Sequence, residues 1–167
     1  FNSSPVEARV ADLHAAFADP AVKGIITTLG GYNSNQLLRS LDYDLITANP
    51  KIFCGFSDIT ALSVAIYAKT GLVTYSGPHF STFGMLRGIE YTLDYFHRCL
   101  MDDAPFAVPQ APTWSDDEWY QDQEAREFIP AGGYVVINEG EAEGKLIGGH
   151  LGTLGLLHGT EYMPDPV

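Results

Sequence analysis

The chain has 167 residues, of which 46% are hydrophobic, and its 21 acidic against 9 basic residues give a formal net charge of −12 at pH 7. This length is enough to bury a sizeable core and favours a single domain. Because so acidic a surface repels phosphate backbones, we expect no nucleic acid partner. No apolar run approaches the roughly 20 residues of a membrane span, so we expect no membrane partner either.

The cysteines and histidines show no metal-binding or disulfide pattern. Cys54 and Cys99 lack paired spacing, and the five histidines form no HxH or HExxH arrangement. We therefore predict no metal and no cofactor, and a reducing cytoplasm fits best. The sequence starts at Phe1 and stops after Met163-Pro164-Asp165-Pro166-Val167 without a closing helix or strand. We expect a fragment of a longer chain.

Helical and strand patterns alternate through the first seventy residues. Ser3-Ser4-Pro5 offers an N-cap, and helical spacing of apolar residues predicts a helix over 5–18. Further segments follow in order: a strand at 22–29, a helix at 34–41, a strand at 50–56 and a helix at 58–69. This alternation predicts an α/β fold with a parallel, flavodoxin-like sheet.

The pattern changes beyond Thr74. Residues 89–101 predict a helix, and residues 104–131 form an irregular insertion, a length typical of functional lids or disordered segments. The last predicted elements are a strand at 133–138, a hairpin partner at 145–149 and a helix at 150–158. We divide the chain into an N-terminal α/β domain over 1–132 and a linker with the start of a C-terminal domain over 133–167.

Gly55-Phe56-Ser57-Asp58 lies where a predicted strand gives way to a predicted helix. A sharp turn at such a junction exposes a serine hydroxyl, so Ser57 is a candidate nucleophile. The helix start favours developing negative charge, and the Asp58 amide is a candidate oxyanion donor. The motif lacks the second glycine of the GxSxG elbow, and a plain N-cap serine is an equally good interpretation.

Gly30-Gly31-Tyr32-Asn33 follows the first predicted strand. Parallel sheets gather their sites at the carboxyl ends of strands, and glycine amides are unobstructed by a Cβ. The segment is therefore a candidate source of a second oxyanion donor. The alternatives are a structural turn or a weak phosphate loop, although the segment matches neither GxGxxG nor the Walker pattern.

A serine nucleophile needs a base, usually a histidine. His79 follows Gly77-Pro78 at a strand end and is the histidine best placed to face the site. The other four fit surface, turn or helix-end roles: His14, His97, His150 and His158.

Trp114 and Trp119 lie in an acidic, aromatic stretch at the centre of the insertion. The plainer interpretation is a packed Ω-loop whose rings are buried. The alternative is a substrate wall, in which an indole stacks on a planar group of a ligand.

The motifs taken in order resemble the LD-carboxypeptidase family of serine peptidases, and Trp114–Gln123 is most similar to the branch that includes the microcin C self-immunity proteins. The motifs are Asp19-Pro20 with Val22-Lys23, Gly30-Gly31-Tyr32-Asn33, Leu37-Leu38, Leu41-Asp42-Tyr43, Asn49-Pro50-Lys51, Gly55-Phe56-Ser57-Asp58-Ile59-Thr60, Gly77-Pro78 and Gly148-Gly149. The resemblance implies Ser57 as nucleophile, with the amides of Asp58 and of Gly31 or a neighbour as oxyanion donors. Contacts with substrate are expected from Gly30, Tyr32, Trp114 and Trp119.

The family completes its triad with a Glu and a His from a second domain, and neither can be assigned to this chain. The resemblance therefore implies a nucleophile domain without its C-terminal domain, inactive alone. It also implies a small peptide or aminoacyl-nucleotide substrate and a homodimer in the full-length protein. His150 stands where the family more often has Asn, so this position departs from the family pattern.

Two other functions fit parts of the sequence. A non-catalytic α/β module could bind a small ligand at the carboxyl edge of the sheet, and the missing His and Glu favour it. A flavodoxin-like nucleotide or phosphate binder is disfavoured by the acidic balance and by the lack of a phosphate fingerprint.

Overall fold

The computed structural model describes residues 4–165, which form two compact units. The first unit consists of two segments, the described residues up to Ser81 and those from Ile147 onward. The second unit is Thr82–Leu146. Ser3 of the predicted N-cap lies outside the described residues. The division predicted at residue 132 stays a prediction.

Helix α1 (Val6–Ala18) opens the first unit and confirms the helix predicted over 5–18. Val10 and Phe17 lie seven positions apart, about two helical turns, and both are buried. Asp19 ends the helix in an extended conformation, as expected of a residue that precedes proline.

Three short parallel strands form the sheet, in the order β1 (Gly24–Ile26), β2 (Ile52–Gly55) and β3 (Tyr75–Ser76). Ile25 pairs with Phe53, and Cys54 pairs with Tyr75. The predicted α/β fold with a parallel sheet is confirmed, although β1 and β2 are shorter than the predicted strands. The strands' carboxyl ends meet at one edge of the sheet.

Helical segments connect these strands. A 3-10 helix (Ser34–Ser40) and α2 (Tyr43–Ala48) lie between β1 and β2, and α3 (Thr60–Thr70) lies between β2 and β3. The segment at 34–41 was predicted as helical, and its turns are of the tighter 3-10 type. Asp42 caps α2 by accepting a hydrogen bond from Leu45 N at 2.9 Å.

The core lies between β2 and the helices α1, α2 and α3. Phe17 of α1 stacks on Phe53 of β2 with 6.4 Å between ring centroids, and both are fully buried together with Ile46 and Ile66. Each such side chain contributes roughly 1.5–3 kcal/mol through burial. All seven residues from Thr60 to Ile66 are buried, so the first two turns of α3 are fixed on every side.

The second unit contains α4 (Glu90–Met101), which confirms the helix predicted at 89–101. The predicted irregular insertion contains one short antiparallel pair, β4 (Thr113–Trp114) with β5 (Ile129–Pro130). The rest of residues 104–131 has no regular strand or helix.

The hairpin predicted at 133–138 and 145–149 is wrong, because these residues form no strand in the described structure. Val135 and Ile137 are 87% and 89% exposed. Their β-branched side chains suit a strand, but a strand also requires a hydrogen-bonded neighbour, and none of the described strands pairs with them. The helix predicted at 150–158 is confirmed as α5 (Leu151–Leu157).

Within residues 4–165, no helix combines the length and the apolar character that crossing a membrane requires.

Candidate active site

Ser57 lies at the junction of β2 and α3, as predicted from the sequence. Its φ of +59° makes it the one non-glycine residue with positive φ among residues 4–165. A left-handed serine costs on the order of 1–3 kcal/mol and persists only when its surroundings hold it. A strained strand-to-helix turn is the setting that presents a nucleophilic serine in α/β hydrolases. The residue is half-buried rather than freely exposed.

Gly55, two residues before Ser57, occupies a position with no space for a side chain. A Cβ there would lie 2.3 Å from Thr27 Oγ1 and 2.9 Å from Ile59 Cγ2. Gly55 therefore lets the end of β1 and the start of α3 approach the turn at Phe56-Ser57-Asp58, which we call the nucleophile turn. This steric requirement is independent of any chemistry at Ser57.

The Asp58 side chain joins the nucleophile turn to the loop that follows β1. Its Oδ2 accepts hydrogen bonds from the backbone N–H groups of Asn33 and Ser34, both at 2.9 Å, and the residue is only 6% exposed. Arg9 steadies the same loop by donating from Nη1 to Asn33 Oδ1 at 3.1 Å. The sequence identified only the amide of Asp58 as functional, and no spacing rule indicated its carboxylate.

The Gly30-Gly31 turn lies directly beside Ser57. A Cβ on Gly30 would fall 3.1 Å from Ser57 Cβ and 3.2 Å from Ser57 Oγ, and one on Gly31 would fall 3.5 Å from Asp58 Oδ2. Tyr32, the next residue, is 71% exposed. The two predicted halves of the site are therefore adjacent, and their roles in oxyanion and substrate binding stay predictions.

The first backbone hydrogen bond of the turn begins at Ile59. Ile59 N donates to Phe56 O at 3.2 Å, so the N–H groups of Ser57 and Asp58 precede this bond and are not used by it. N–H groups that precede the first hydrogen bond of a helical segment favour negative charge. This geometry suits the predicted oxyanion role of Asp58.

His79 is buried beneath the nucleophile turn, at 3% exposure. Its Nε2 lies 3.0 Å from Phe56 O and 3.2 Å from Phe56 N, and its ring stacks on Phe56 with centroids 4.0 Å apart. Burial lowers the pKa of His79, and the hydrogen bond with the Phe56 carbonyl partly opposes this effect. Burial therefore favours the neutral form of the imidazole.

The remaining histidines have the surface and helix-end roles that the sequence suggested. His14 Nε2 accepts from Asp42 N, and His150 caps α5 by accepting from Thr153 N at 3.3 Å. His97 lies 3.5 Å from Asp102 in the second unit. Within residues 4–165, the structure records no hydrogen bond between Ser57 Oγ and a histidine, and no ion pair between His79 and a carboxylate.

The Gly148-Gly149 motif lies against the start of α3. The backbone N–H of His150 donates to Thr60 Oγ1 at 3.0 Å. His150, which is distant in sequence, therefore contacts Thr60, the residue three positions after Ser57. A Cβ on Gly149 would lie 2.5 Å from Thr60 Cγ2, so the glycine permits this close approach.

Both tryptophans lie in the second unit. Trp114 is 51% exposed on β4, whereas Trp119 is partly buried, with its ring close enough to Gly84 that a Cβ there would lie 3.4 Å from it. Trp119 also makes an edge contact with Tyr120. Packing accounts for Trp119, and substrate binding by either tryptophan stays a prediction.

Two of the pockets formed by the described residues open on the second unit, and neither of these two is lined by Ser57 or Gly31. One is acidic, with a volume of about 370 Å³, and is lined by Asp116, Asp117, Glu118, Gln121, Asp122 and Ala125. Across residues 4–165, no three His, Cys, Asp or Glu side chains are arranged to hold a metal ion.

Comparison with known proteins places these features in a family context. A model of the LD-carboxypeptidase N-terminal domain matches residues 1–77. The putative carboxypeptidase YocD of Bacillus subtilis is 64% identical over 99% of this chain and 51% of its own length. The microcin C7 self-immunity protein MccF of Escherichia coli is 36% identical, over 99% and 50%. A probable murein peptide carboxypeptidase of Bacillus subtilis is 33% identical, over 94% and 43%.

Solved structures share the fold. The MccF-like protein of Bacillus anthracis superposes with a TM-score of 0.97 at 65% identity, covering 99% of this chain and 50% of that protein. MccF in complex with aspartyl sulfamoyl adenosine gives a TM-score of 0.88 at 35% identity, covering 97% and 50%. The chain spans about half the length of the relatives it matches.

Proposed function

We propose that this chain, which carries the N-terminal domain of the LD-carboxypeptidase family, supplies the nucleophile of a serine peptidase or amidohydrolase. One observation carries the proposal: the left-handed backbone of Ser57, at φ +59°, in a strand-to-helix turn beside Gly30. A costly conformation at one residue indicates that its side chain is presented for use. In MccF, a solved active-site mutant replaces a serine, an asparagine and a lysine by alanine.

In the proposed mechanism, the Ser57 hydroxyl attacks an amide carbonyl and a histidine base takes its proton. The N–H groups of Asp58 and Gly31 stabilise the oxyanion, the histidine gives the proton to the nitrogen of the departing amine, and water then hydrolyses the acyl-enzyme. The base and its carboxylate come from residues beyond this chain. We also propose a cytoplasmic location and a homodimer for the full-length protein.

The substrate is an amide in a muropeptide or in an aminoacyl nucleotide analogue, and the second is favoured by the aromatic insertion around Trp114 and Trp119. MccF has been solved with aspartyl sulfamoyl adenosine and, as a tryptophan-to-phenylalanine mutant, with adenosine monophosphate. An indole stacking on a base supplies roughly 1–3 kcal/mol.

A fluorophosphonate probe tests the proposal in two proteins, the full-length protein that carries this chain and residues 1–167 alone. We expect rapid labelling of the first, loss of labelling in Ser57→Ala, and a rate some 10³-fold lower for residues 1–167, because serine without a base is a weak nucleophile. Ser40→Ala, at an exposed serine, is the matched control. Undiminished labelling of Ser57→Ala would place the nucleophile at another residue, and an unlabelled full-length wild type would leave the non-catalytic ligand-binding module as the better interpretation.

A further inference from the structure

His79 contacts the site through one residue, Phe56, which directly precedes Ser57. Phe56 is almost fully extended, with φ −139° and ψ −170°, so its own N–H and C=O point to the same side. One ring nitrogen therefore lies within reach of both, at 3.2 Å and 3.0 Å. In one neutral tautomer Nε2 donates to the carbonyl, and in the other it accepts from the N–H.

The backbone around His79 is tied to the carboxyl ends of β1 and β2. Gly77 N donates to Gly55 O at 3.3 Å, and Phe80 N donates to Thr27 O at 2.8 Å. The imidazole therefore projects from a segment that is itself fixed on the sheet. Its stacking on the Phe56 ring adds a second contact, so that residue is held by both its backbone and its side chain.

Gly30 completes the arrangement. A Cβ on Gly30 would meet His79 Cε1 at 3.2 Å and Ser57 Oγ at 3.2 Å. The imidazole and the serine side chain therefore flank the same glycine, with no room for a larger residue between them. A shift of the ring would be transmitted to Ser57 through Phe56 and through Gly30.

We infer that His79 is a positioning residue for the proposed nucleophile, holding Phe56 so that Ser57 keeps the left-handed turn that aims its hydroxyl. The inference rests on the proposed function of Ser57. A positioning role differs from that of a general base. Nε2 of His79 is directed at the Phe56 backbone, and the described residues place no carboxylate behind the ring. The lowered pKa of His79 agrees with this, since a neutral ring keeps the contact without a buried charge.

The test uses the full-length protein and two variants that separate the hydrogen bond of His79 with Phe56 from the stacking of the two rings. His79→Phe keeps a ring for stacking and loses the hydrogen bond, and His79→Gln keeps a polar group for Phe56 and loses the ring. We expect His79→Phe to lower kcat and the labelling rate constant about 10- to 100-fold with KM within about twofold, the scale expected for a misplaced reacting group. We expect His79→Gln to recover most of the rate.

Two readouts separate positioning from folding. A merely structural role would reduce the fraction of protein that is labelled, whereas positioning reduces the rate constant at full amplitude. His158→Phe, at an exposed histidine that ends α5, is the matched control. If His79→Phe does not fold, His79→Met, which likewise offers no strong hydrogen-bonding group to the Phe56 backbone, should lower the same rate constant.

The inference is overturned if the His79 variants label at the wild-type rate while Ser57→Ala does not label. It is also overturned if both His79 variants lose activity as completely as Ser57→Ala, because that result would identify a base. Failure of the proposed function looks different, since Ser57→Ala would then label like the wild type.

Discussion

The Asp58 carboxylate holds the backbone N–H of Asn33 at 2.9 Å, although 25 positions separate the two residues in the chain. The same oxygen accepts from Ser34 N. A residue of the nucleophile turn therefore fixes the loop that carries the proposed second oxyanion donor. The two halves of the site are coupled by a charged, buried acceptor.

Removal of that acceptor should weaken folding and activity together. We expect Asp58→Ala to lower the free energy of unfolding by about 2–4 kcal/mol, because two N–H groups lose a charged acceptor and one of them is buried. Asp58→Asn keeps an acceptor oxygen and should lose about 1 kcal/mol. Chemical denaturation measures both, with the exposed Asp12→Asn as control. Equal free energies of unfolding for Asp58→Ala and wild type would contradict a stabilising role of the Asp58 carboxylate.

Ser57→Gly should make the protein more stable and inactive. Glycine adopts φ +59° without the Cβ penalty, and after its greater loss of backbone entropy we expect a net gain of about 0.5–1 kcal/mol. Ser57→Ala, which also removes the hydroxyl but keeps a Cβ, should show no such gain. Thermal unfolding of the pair isolates the strain from the chemistry. An unchanged or lower melting temperature for Ser57→Gly would show that the turn stores no strain.

Two glycine-to-alanine changes should have opposite signs. Gly55→Ala places a methyl group 2.3 Å from Thr27 Oγ1, and we expect a loss of about 1–3 kcal/mol from overpacking. Gly155 lies inside α5 with nothing within 4 Å of its Cβ position, so Gly155→Ala should gain about 0.5–1 kcal/mol from helix propensity. Urea unfolding measures the free energy of unfolding of both variants. A destabilised Gly155→Ala would contradict the expected gain and indicate that another part of the protein packs against α5 at this position.

The tryptophans are tested by substrate discrimination. If an indole stacks on an aminoacyl nucleotide, Trp114→Ala or Trp119→Ala should lower kcat/KM for that substrate about 10-fold and leave a tetrapeptide nearly unaffected. Melting temperatures control for the packing of Trp119 near Gly84. Equal losses on both substrates would remove the stacking role.

The sequence alone predicted the α/β fold, the parallel sheet, most helices and the family resemblance, because periodicity, turn residues and ordered motifs are local signals. It also located Ser57 at a strand-to-helix junction and the Gly30-Gly31 turn at the end of another strand. Only the tertiary structure decided how these parts meet. The Asp58 carboxylate, its partners at Asn33 and Ser34, and the ring of His79 under Phe56 come together because β1, β2 and β3 end at one edge. The strand predicted at 133–138 is wrong because a local pattern shows only a preference. β-branched residues favour a strand, but a strand also needs a hydrogen-bonded neighbour, and no local pattern specifies that neighbour.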